Sequence, residues 1–373
     1  MTLRRPHWAD RTANPTMTPL ERLTALGTSV WLDGLAPPDE LQRLTHAAAV
    51  TGLTSNPTIF RAAVLSSGRY DRRIAALGSR PAEQIYETLA IEDVRAAADV
   101  LAPIYERTEG ADGFVSLEVD PALADDADGT LAAARELWAR IDRPNALIKI
   151  PATEAGVEAT RRALADGINV NVTLLFSVAR YAAVIDAYLA GLEERLRRGQ
   201  PVRAIASVAS FFVSRVDSAV DPMLAAAGRD ELVGRASVAN ARLAYAHASR
   251  VFAGPRFAAL PAAGARPQRP LWASTSTKDA RYSDVKYVDE LAGPGVINTM
   301  PPATLSAYAD HGAPADRLTA TEPSARAVLD EIAAAGIDLD AVTGALLTGG
   351  VAKFAASMAE LLAGISGAAA RAA

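Results

Sequence analysis

The chain has 373 residues, half of them hydrophobic, with 38 basic and 43 acidic side chains. This length allows one large domain or two ordinary ones, and the mixed charge shows no basic stripe that would indicate nucleic-acid binding. The absence of cysteine excludes disulfides, thiolate metal sites and cysteine nucleophiles, and it fits a cytoplasmic protein. We expect no membrane association, because the N-terminal residues lack a signal-peptide pattern and no run approaches the ~18 apolar residues of a membrane span.

Short apolar segments alternate with alanine-rich amphipathic segments, which is the pattern of a parallel α/β fold. The predicted strands are 29–33, 50–54, 113–119, 146–151, 168–174, 202–208, 270–274 and 295–299. The predicted helices are 18–26, 83–106, 130–141, 154–165, 177–198, 234–253, 302–311, 322–335 and 338–363. Eight strands alternating with helices favour a (β/α)8 TIM barrel over an open sheet, with additional N- and C-terminal helices.

The domain boundaries follow from composition. Residues 18–366 are predicted to form a single barrel domain, preceded by an N-terminal extension at 1–17. The low-complexity residues 367–373 predict a flexible tail, and the Pro-, Gly- and Ala-rich residues 254–268 predict a loop. The isolated pair Gly349-Gly350 predicts a helix break rather than a phosphate-binding loop.

Only four of the 38 basic residues are lysines, and one of them lies within an apolar predicted strand. Lys149 has the aliphatic neighbours Ile148 and Ile150. A guanidinium keeps its proton at usable pH, whereas an ammonium can lose its proton when it is desolvated. A lysine in this setting indicates a nucleophile that forms a Schiff base with a carbonyl substrate. The alternative is a structural ion pair with Glu118 or Asp33.

Side-chain alternation along the predicted strands separates a polar face from an aliphatic face. In a barrel the aliphatic face packs against the helices, so the polar face points inward. The side chains expected in this common interior, mostly near the C-terminal ends of the strands, are Asp33, Glu118, Lys149, Asn171 and Thr173. Barrel enzymes place their active sites at that end. Burial of unsatisfied polar groups costs ~1–3 kcal/mol each, which favours a catalytic interior over a structural one.

Schiff-base chemistry needs groups that add and expel water and that move the proton of a substrate hydroxyl. Glu118 and Thr173 could hold a water molecule beside Lys149, and Asp33 could take the hydroxyl proton as a carbon–carbon bond breaks. Three simpler alternatives remain open. Glu118 only neutralises Lys149, Asp33 only caps a helix near Pro37, or Thr173 is an ordinary strand residue.

Several segments resemble motifs of the transaldolase family in their order and spacing. They are 54–60 (TSNPTIF), 116–120 (SLEVD), 148–153 (IKIPAT), 171–177 (NVTLLFS), 207–217 (SVASFFVSRVD) and 278–300. Together they cover roughly residues 20–363, and 274–279 and 282–287 look most similar to the longer bacterial members. The resemblance implies a (β/α)8 barrel with the Schiff-base lysine on its fourth strand, and Lys149 lies on the fourth predicted strand.

The resemblance also implies roles for individual residues. Asp33 matches the family's acid/base at carbon–carbon cleavage, and Glu118 and Thr173 match its water-holding pair. The matches to residues that hydrogen-bond the substrate hydroxyls and hold the dihydroxyacetone unit are Asn56, Asn171 and Ser210. For Asn56, which precedes Pro57, the alternative is a common Asn-Pro turn.

Recognition of the substrate phosphate is less complete in the motifs. Arg215 matches a phosphate-binding arginine, and a guanidinium suits this dianion through bidentate hydrogen bonds. The alternative is a helix-surface arginine, in a chain that carries 34 of them. Ser274 matches the family's serine on strand seven, but Ser276 occupies the position of a second arginine. Lys278 could substitute as a point charge, so the second phosphate ligand stays open.

Phe212 bears on the choice between transfer and cleavage. Related fructose 6-phosphate aldolases carry a tyrosine at the matching position and release free dihydroxyacetone, whereas phenylalanine has no hydroxyl. The resemblance therefore implies transfer of a dihydroxyacetone unit from sedoheptulose 7-phosphate to glyceraldehyde 3-phosphate, giving erythrose 4-phosphate and fructose 6-phosphate. A Schiff-base aldolase like the fructose 6-phosphate aldolases is the alternative. A catalytically inactive barrel that acts as a scaffold is the alternative from another class.

The expected partners are sugar phosphates, without nucleic acid or membrane, and both a monomer and a homodimer are compatible with the sequence. No cofactor is expected, because the protonated imine is itself the electron sink. No metal site is expected either, since the four histidines show no metal-ligand spacing.

Overall fold

The computed structural model describes residues 17–47, 49–66 and 68–372, so the predicted extension at 1–17 lies outside them except for Met17. The strands are β1 Thr28–Asp33, β2 Val50–Thr54, β3 Val115–Glu118, β4 Ala146–Pro151, β5 Val170–Leu175, β6 Ser207–Phe212, β7 Arg269–Ala273 and β8 Val296–Met300. Each strand pairs in parallel with its neighbours in sequence, and β8 pairs with β1 to close the barrel. The predicted (β/α)8 fold is confirmed.

Helices connect the strands and extend the barrel at both ends. They are α1 Pro19–Ala25, α2 Pro38–Ala47, α3 Pro57–Ser66, α4 Asp71–Leu77, α5 Ala82–Arg107, α6 Ala127–Ile141, α7 Glu154–Asp166, α8 Val178–Arg197, α9 Ser214–Ala226, α10 Ala236–Phe252, α11 Pro255–Ala258, α12 Lys286–Glu290, α13 Pro302–His311, α14 Glu322–Ala334 and α15 Leu339–Ala372. Short 3-10 turns lie at Pro121–Leu123, Asp230–Leu232 and Pro261–Ala263. The helix α1 begins at a capping box formed by Thr18 and Glu21, and it packs against β1 and α13.

The sixth strand is the least accurate of the predicted elements. It was expected at 202–208 but lies at Ser207–Phe212, because residues 202–205 form a turn closed by the Ile205 amide donating to the Val202 carbonyl at 3.0 Å. Val202 and Ile205 lie in this turn with their side chains buried. In the sequence, these apolar residues therefore resemble a buried strand. The predicted loop 254–268 also contains the short helix α11 and a 3-10 turn.

The side-chain alternation of the strands produces two apolar clusters. Val30, Ile148 and Val172 point outward and pack between the strands and the helices. Trp31 and Leu271 point inward and help to fill the barrel interior. This packing leaves the C-terminal end of the barrel to polar side chains.

A single carboxylate organises the opposite, N-terminal end. The Asp112 carboxylate, which precedes β3, accepts hydrogen bonds from Ser29 Oγ, from Trp31 Nε1 at 2.8 Å and from Thr51 Oγ1 at 2.9 Å. The Arg269 guanidinium lies 3.8 Å from it at the start of β7. These contacts join β1, β2 and β7 across the floor of the barrel.

The last helix, α15, runs across the C-terminal end of the barrel, where it contacts α3, α5, α9 and the end of β5. It continues to Ala372, beyond the predicted helix end at 363, since alanine has the highest helix propensity. The predicted break at Gly349-Gly350 is also wrong. A Cβ on Gly350 would lie 2.9 Å from Leu174 Cδ2, so glycine here permits close packing of the helix on β5.

In the part of the chain that the structure describes, α15 is the one helix long and apolar enough to cross a membrane, over Leu339–Arg371. Length and composition alone give α15 this property, and 28% of its apolar stretch is buried inside the protein. The fold accounts for part of the apolar character, because Phe354, Leu361 and Ile365 are buried in the protein.

Candidate active site

A cavity of ≈ 240 Å³ opens between the C-terminal strand ends and α15. Eight of the predicted site residues line it, namely Asp33, Asn56, Lys149, Ser210, Phe212, Arg215, Ser274 and Lys278. The other three, Glu118, Asn171 and Thr173, are buried outside this lining, and strand pairing places Glu118 and Asn171 beside Lys149. Of the polar face expected from strand alternation, Asp33 and Lys149 reach this cavity.

Lys149 lies in the middle of β4 with only 4% of its side chain exposed. Its Nζ donates a hydrogen bond to the Ser55 carbonyl at 3.0 Å and lies 3.4 Å from Glu118 Oε2. The pairing of β3 with β4 places Glu118 directly beside Lys149. On the other side, the Phe354 ring centroid lies 5.9 Å from Nζ. The amine is thus buried, with one carboxylate in reach.

Glu118 has an environment that disfavours its charge. Burial raises the pKa of its carboxyl to about 7, although the nearby Lys149 ammonium opposes the rise. Oε2 forms an ion pair with Lys149 but no well-formed hydrogen bond within the described residues. Thr173 Oγ1 is likewise buried without a partner in the described part of the chain. Buried oxygens normally have a hydrogen-bond partner, so these two atoms can accept or donate to a bound molecule.

Asp33 lies at the end of β1, on the wall of the cavity. Its Oδ1 accepts a hydrogen bond from Thr54 Oγ1 at 3.0 Å, and Thr54 Oγ1 lies 2.7 Å from Thr299 Oγ1. Burial raises the pKa of the Asp33 carboxyl, against the opposing charge of Lys149. The contact with β2 orients the carboxylate towards the cavity rather than towards a helix cap at Pro37.

A short hydrogen-bonded chain crosses the barrel interior beside Lys149. Ser210 Oγ donates to Asn171 Oδ1 at 2.7 Å, and Asn171 Nδ2 donates to Ser116 Oγ at 2.9 Å. Because Asn171 is completely buried, this chain fixes the direction of the Ser210 hydroxyl at the cavity wall.

Asn56 combines two of the roles considered for it. Its Oδ1 accepts a hydrogen bond from the Ile59 amide at 3.0 Å and so caps α3, in which Pro57 is the first residue. The Asn-Pro pair therefore begins a helix. Asn56 also lines the cavity, so the same cap holds its side chain in place there.

Cationic side chains surround the outer part of the cavity. The Arg215 guanidinium, near the start of α9, lies 5.0 Å from the Phe212 ring centroid. Lys278 Nζ donates to Ser276 Oγ at 2.6 Å, and Lys353 of α15 completes this part of the lining. Burial lowers the pKa of Arg215 and of Lys278. A concentration of positive charge at a cavity mouth favours an anionic ligand.

The lining also includes residues that the sequence did not single out, and two of them are Lys353 and Phe354. Both lie on α15, far along the chain from the motif residues. Lys353 is one of only four lysines, so the scarcity that singled out Lys149 could have drawn attention to it. No motif surrounds this lysine on its alanine-rich helix, so the local sequence does not mark it as a site residue.

The described residues contain no group of three or more His, Asp or Glu side chains arranged to hold a metal ion. Residues 30–365 match the family described as transaldolase/fructose-6-phosphate aldolase. The chain belongs to this family. The family assignment made from the motifs is therefore confirmed.

Three bacterial relatives of this transaldolase/fructose-6-phosphate aldolase family member are each named transaldolase. The chain is 50% identical to the protein of Saccharopolyspora erythraea, over 92% of this chain and 95% of the relative. It is 51% identical to the protein of Mycolicibacterium paratuberculosis, with the same coverage. Identity to the protein of Thermobifida fusca is 49%, over 92% of this chain and 96% of the relative.

The barrel of this family member has unusual backbone geometry next to the site. Leu174 has φ 59° and Ser274 has φ 55°, in the left-handed region that side-chain-bearing residues rarely adopt. The β5–β6 register also shifts between Val172 and Leu175, around Thr173. Such conformations cost about 1–3 kcal/mol each and concentrate at functional sites. Here they aim the ends of β5 and β7 at the cavity.

Proposed function

We propose that this chain is a transaldolase that transfers a dihydroxyacetone unit between sugar phosphates through a Schiff base on Lys149. The observation that carries this proposal is the buried Lys149 amine, which shares one cavity with Asp33 and has the Glu118 carboxylate 3.4 Å away. The name shared by relatives about 50% identical over most of the chain supports transfer. We propose sedoheptulose 7-phosphate as donor and glyceraldehyde 3-phosphate as acceptor.

Imine formation begins when the Lys149 nitrogen adds to the ketone carbon of the donor. The oxygen of the resulting carbinolamine leaves as water, which requires one group to take protons from this nitrogen and to deliver them to that oxygen. We assign this exchange to Glu118, acting through a water molecule that Thr173 helps to hold. Glu118 Oε2 and Thr173 Oγ1, two buried oxygens with no hydrogen-bond partner among the described residues, support this assignment.

Carbon–carbon cleavage follows on the imine. Asp33 takes the proton from the substrate hydroxyl on the carbon that becomes the aldehyde, and the electrons of the breaking bond move into the protonated imine. The first aldose leaves, and a three-carbon enamine stays bound to Lys149. Hydrogen bonds with Asn56 and Ser210 hold its hydroxyls, and Asn171 keeps Ser210 in position. The acceptor aldehyde then reacts by the reverse sequence, so the kinetics are ping-pong.

The choice between transfer and release depends on what happens to the enamine before the acceptor arrives. Phe212 provides no hydroxyl that could protonate it, and its ring packs against Phe176 with a centroid distance of 5.3 Å. An apolar wall at this point favours survival of the bound three-carbon unit. We therefore prefer transfer to a fructose 6-phosphate aldolase-like release.

Two assays test the proposed function together. Incubation with fructose 6-phosphate and borohydride should trap a three-carbon or six-carbon adduct on Lys149, detectable by peptide mass spectrometry. Transfer to erythrose 4-phosphate should then be much faster than formation of free dihydroxyacetone without acceptor. Equal rates of release and transfer would support the aldolase alternative, whereas no adduct at all would support an inactive scaffold.

Glu118 should impose a pH dependence on turnover. If its carboxylate form takes up the proton during imine formation, that form becomes scarce below its pKa of about 7. We expect kcat/KM for fructose 6-phosphate to fall roughly tenfold per pH unit below this value. Glu118→Gln should lower kcat/KM and flatten this acidic limb, whereas Glu106→Gln, at an exposed helix position, should leave the profile unchanged. If the kcat/KM profile of Glu118→Gln keeps the wild-type fall at acidic pH, that fall is due to a group other than Glu118.

We further propose that the enzyme works in the cytoplasm with sugar phosphates as its partners. The protonated imine supplies the electron sink that a cofactor would otherwise provide. The charge distribution of the cavity, with cations at its outer end and the amine inside, suits phosphorylated open-chain sugars.

A further inference from the structure

Three cations line the outer part of the active-site cavity, and they come from separate elements of the fold. Arg215 belongs to α9, Lys278 to the loop after β7 and Lys353 to α15. In the described part of the chain, none of the three forms an ion pair with a carboxylate. The nearest acid of the lining is Asp33, which lies close enough for its charge to act on Arg215 and Lys278.

The three positive charges lie close enough to repel one another. The pKa of Lys278 is lowered first by burial and then by the charges of Arg215 and Lys353. Like charges gathered in a partly buried cavity are unfavourable without a counter-charge, so this arrangement favours binding of a dianion such as a phosphoryl group.

The packing of α15 fixes the place of Lys353. The neighbouring Phe354 is buried, and its ring centroid lies 5.9 Å from Lys149 Nζ. One turn earlier, a Cβ on Gly350 would lie 3.7 Å from Arg215 Nη1. Residues three and four apart share a helix face, so this face of α15 lies over both Lys149 and Arg215. Lys353 consequently lies at the outer rim, and its side chain is exposed and long enough to contact a bound ligand.

We propose that Lys353 is a ligand of the substrate phosphate, so that α15 forms part of the sugar phosphate site. Lys353 then supplies the charge that Ser276 lacks, while the Ser276 hydroxyl accepts a hydrogen bond from Lys278 at 2.6 Å. This inference rests on the proposed function, since it concerns the phosphate of the same substrates.

The test compares a phosphorylated with an unphosphorylated donor. For Lys353→Met, we expect KM for fructose 6-phosphate to rise about tenfold with kcat within about twofold, the usual effect of losing one charge-assisted contact. The kinetic constants for fructose, measured at high concentration with the same acceptor, should not change. Inhibition by inorganic phosphate should weaken by a similar factor. Lys353→Arg should keep most of the phosphate preference.

A matched control and a rescue complete the design. Lys286→Met removes a lysine of α12 that lies 3.7 Å from Glu290, outside the active-site cavity. This variant should change the kinetic constants for neither donor. The double variant Lys353→Met/Ser276→Arg adds a guanidinium to the lining. It should recover part of the preference for fructose 6-phosphate over fructose. If Lys353→Met leaves KM for fructose 6-phosphate unchanged, or weakens both donors equally, the role of Lys353 is refuted.

These outcomes are separable from failure of the proposed function. Borohydride trapping on the wild-type protein reports on Lys149 and is independent of Lys353. A trapped adduct together with an unchanged KM in Lys353→Met refutes the phosphate role alone. Absence of an adduct with either donor refutes the Schiff-base function and the phosphate role with it.

Discussion

Replacement of Lys149 by arginine is expected to lower kcat for transfer by at least about 10⁴-fold, as is typical when an enzyme loses its covalent nucleophile. Arginine keeps a positive charge beside Glu118 and can still donate to the Ser55 carbonyl, so the electrostatic role of the residue is retained. A guanidinium does not give up its proton and cannot form the imine. The substitution therefore separates charge from nucleophilicity at a single position. The measurement is the initial rate of transfer from fructose 6-phosphate to erythrose 4-phosphate.

The control for this variant is the same change at a lysine outside the site. Lys286→Arg should retain wild-type turnover, and the thermal unfolding of both variants should resemble that of the parent protein. Borohydride should trap no adduct on the Lys149→Arg protein. Substantial turnover in this variant would mean that Lys149 is only the structural partner of Glu118.

The second large effect concerns stability rather than catalysis. Asp112→Ala should reduce the free energy of unfolding by about 3 kcal/mol, since loss of one partner of a buried ionic cluster costs ~3–5 kcal/mol. The substitution leaves the Trp31 indole without its acceptor and removes the carboxylate that Thr51 and Arg269 contact at the barrel floor. The measurement is urea-induced unfolding monitored by tryptophan fluorescence.

An exposed acid provides the comparison. Asp128 is 85% exposed and pairs with Arg162 Nη1 at 2.6 Å, so Asp128→Ala should leave the urea midpoint almost unchanged. Asp112→Asn should have an intermediate effect, because the amide oxygen can still accept one of the hydrogen bonds. If Asp112→Ala unfolds at the wild-type midpoint, the floor cluster does not hold the strands together.

Most of the barrel and its catalytic interior were predictable from side-chain alternation. Lys149 and its neighbours on β4 show why, since a polar residue between two isoleucines can only face the interior when helices cover the other side. The same rule placed Asp33 on the cavity wall and Glu118 beside Lys149. The bounds of the sixth strand were predicted wrongly because Val202 and Ile205 are buried residues of a turn. An apolar run does not reveal its backbone conformation.

The contribution of α15 could not be predicted by the same means. Its residues meet the barrel through tertiary packing, and no local period in the sequence encodes which helix covers the cavity. Gly350 illustrates the difficulty, because in sequence it resembles a helix break, whereas in the structure it permits contact with Leu174. Lys353 and Phe354 gain their positions from this contact.

The docking of α15 also links activity to the cooperativity of the fold. Thr58 Oγ1 on α3 and Ser357 Oγ on α15 lie 2.9 Å apart, although 299 positions separate them in the chain. The cavity is therefore complete only when distant parts of the polypeptide have assembled. A local opening that releases α15 would uncover Lys149 and abolish turnover while the eight strands stay paired. Enzymatic activity should accordingly be lost earlier on heating than the barrel itself, and amide exchange in α15 should report on that loss.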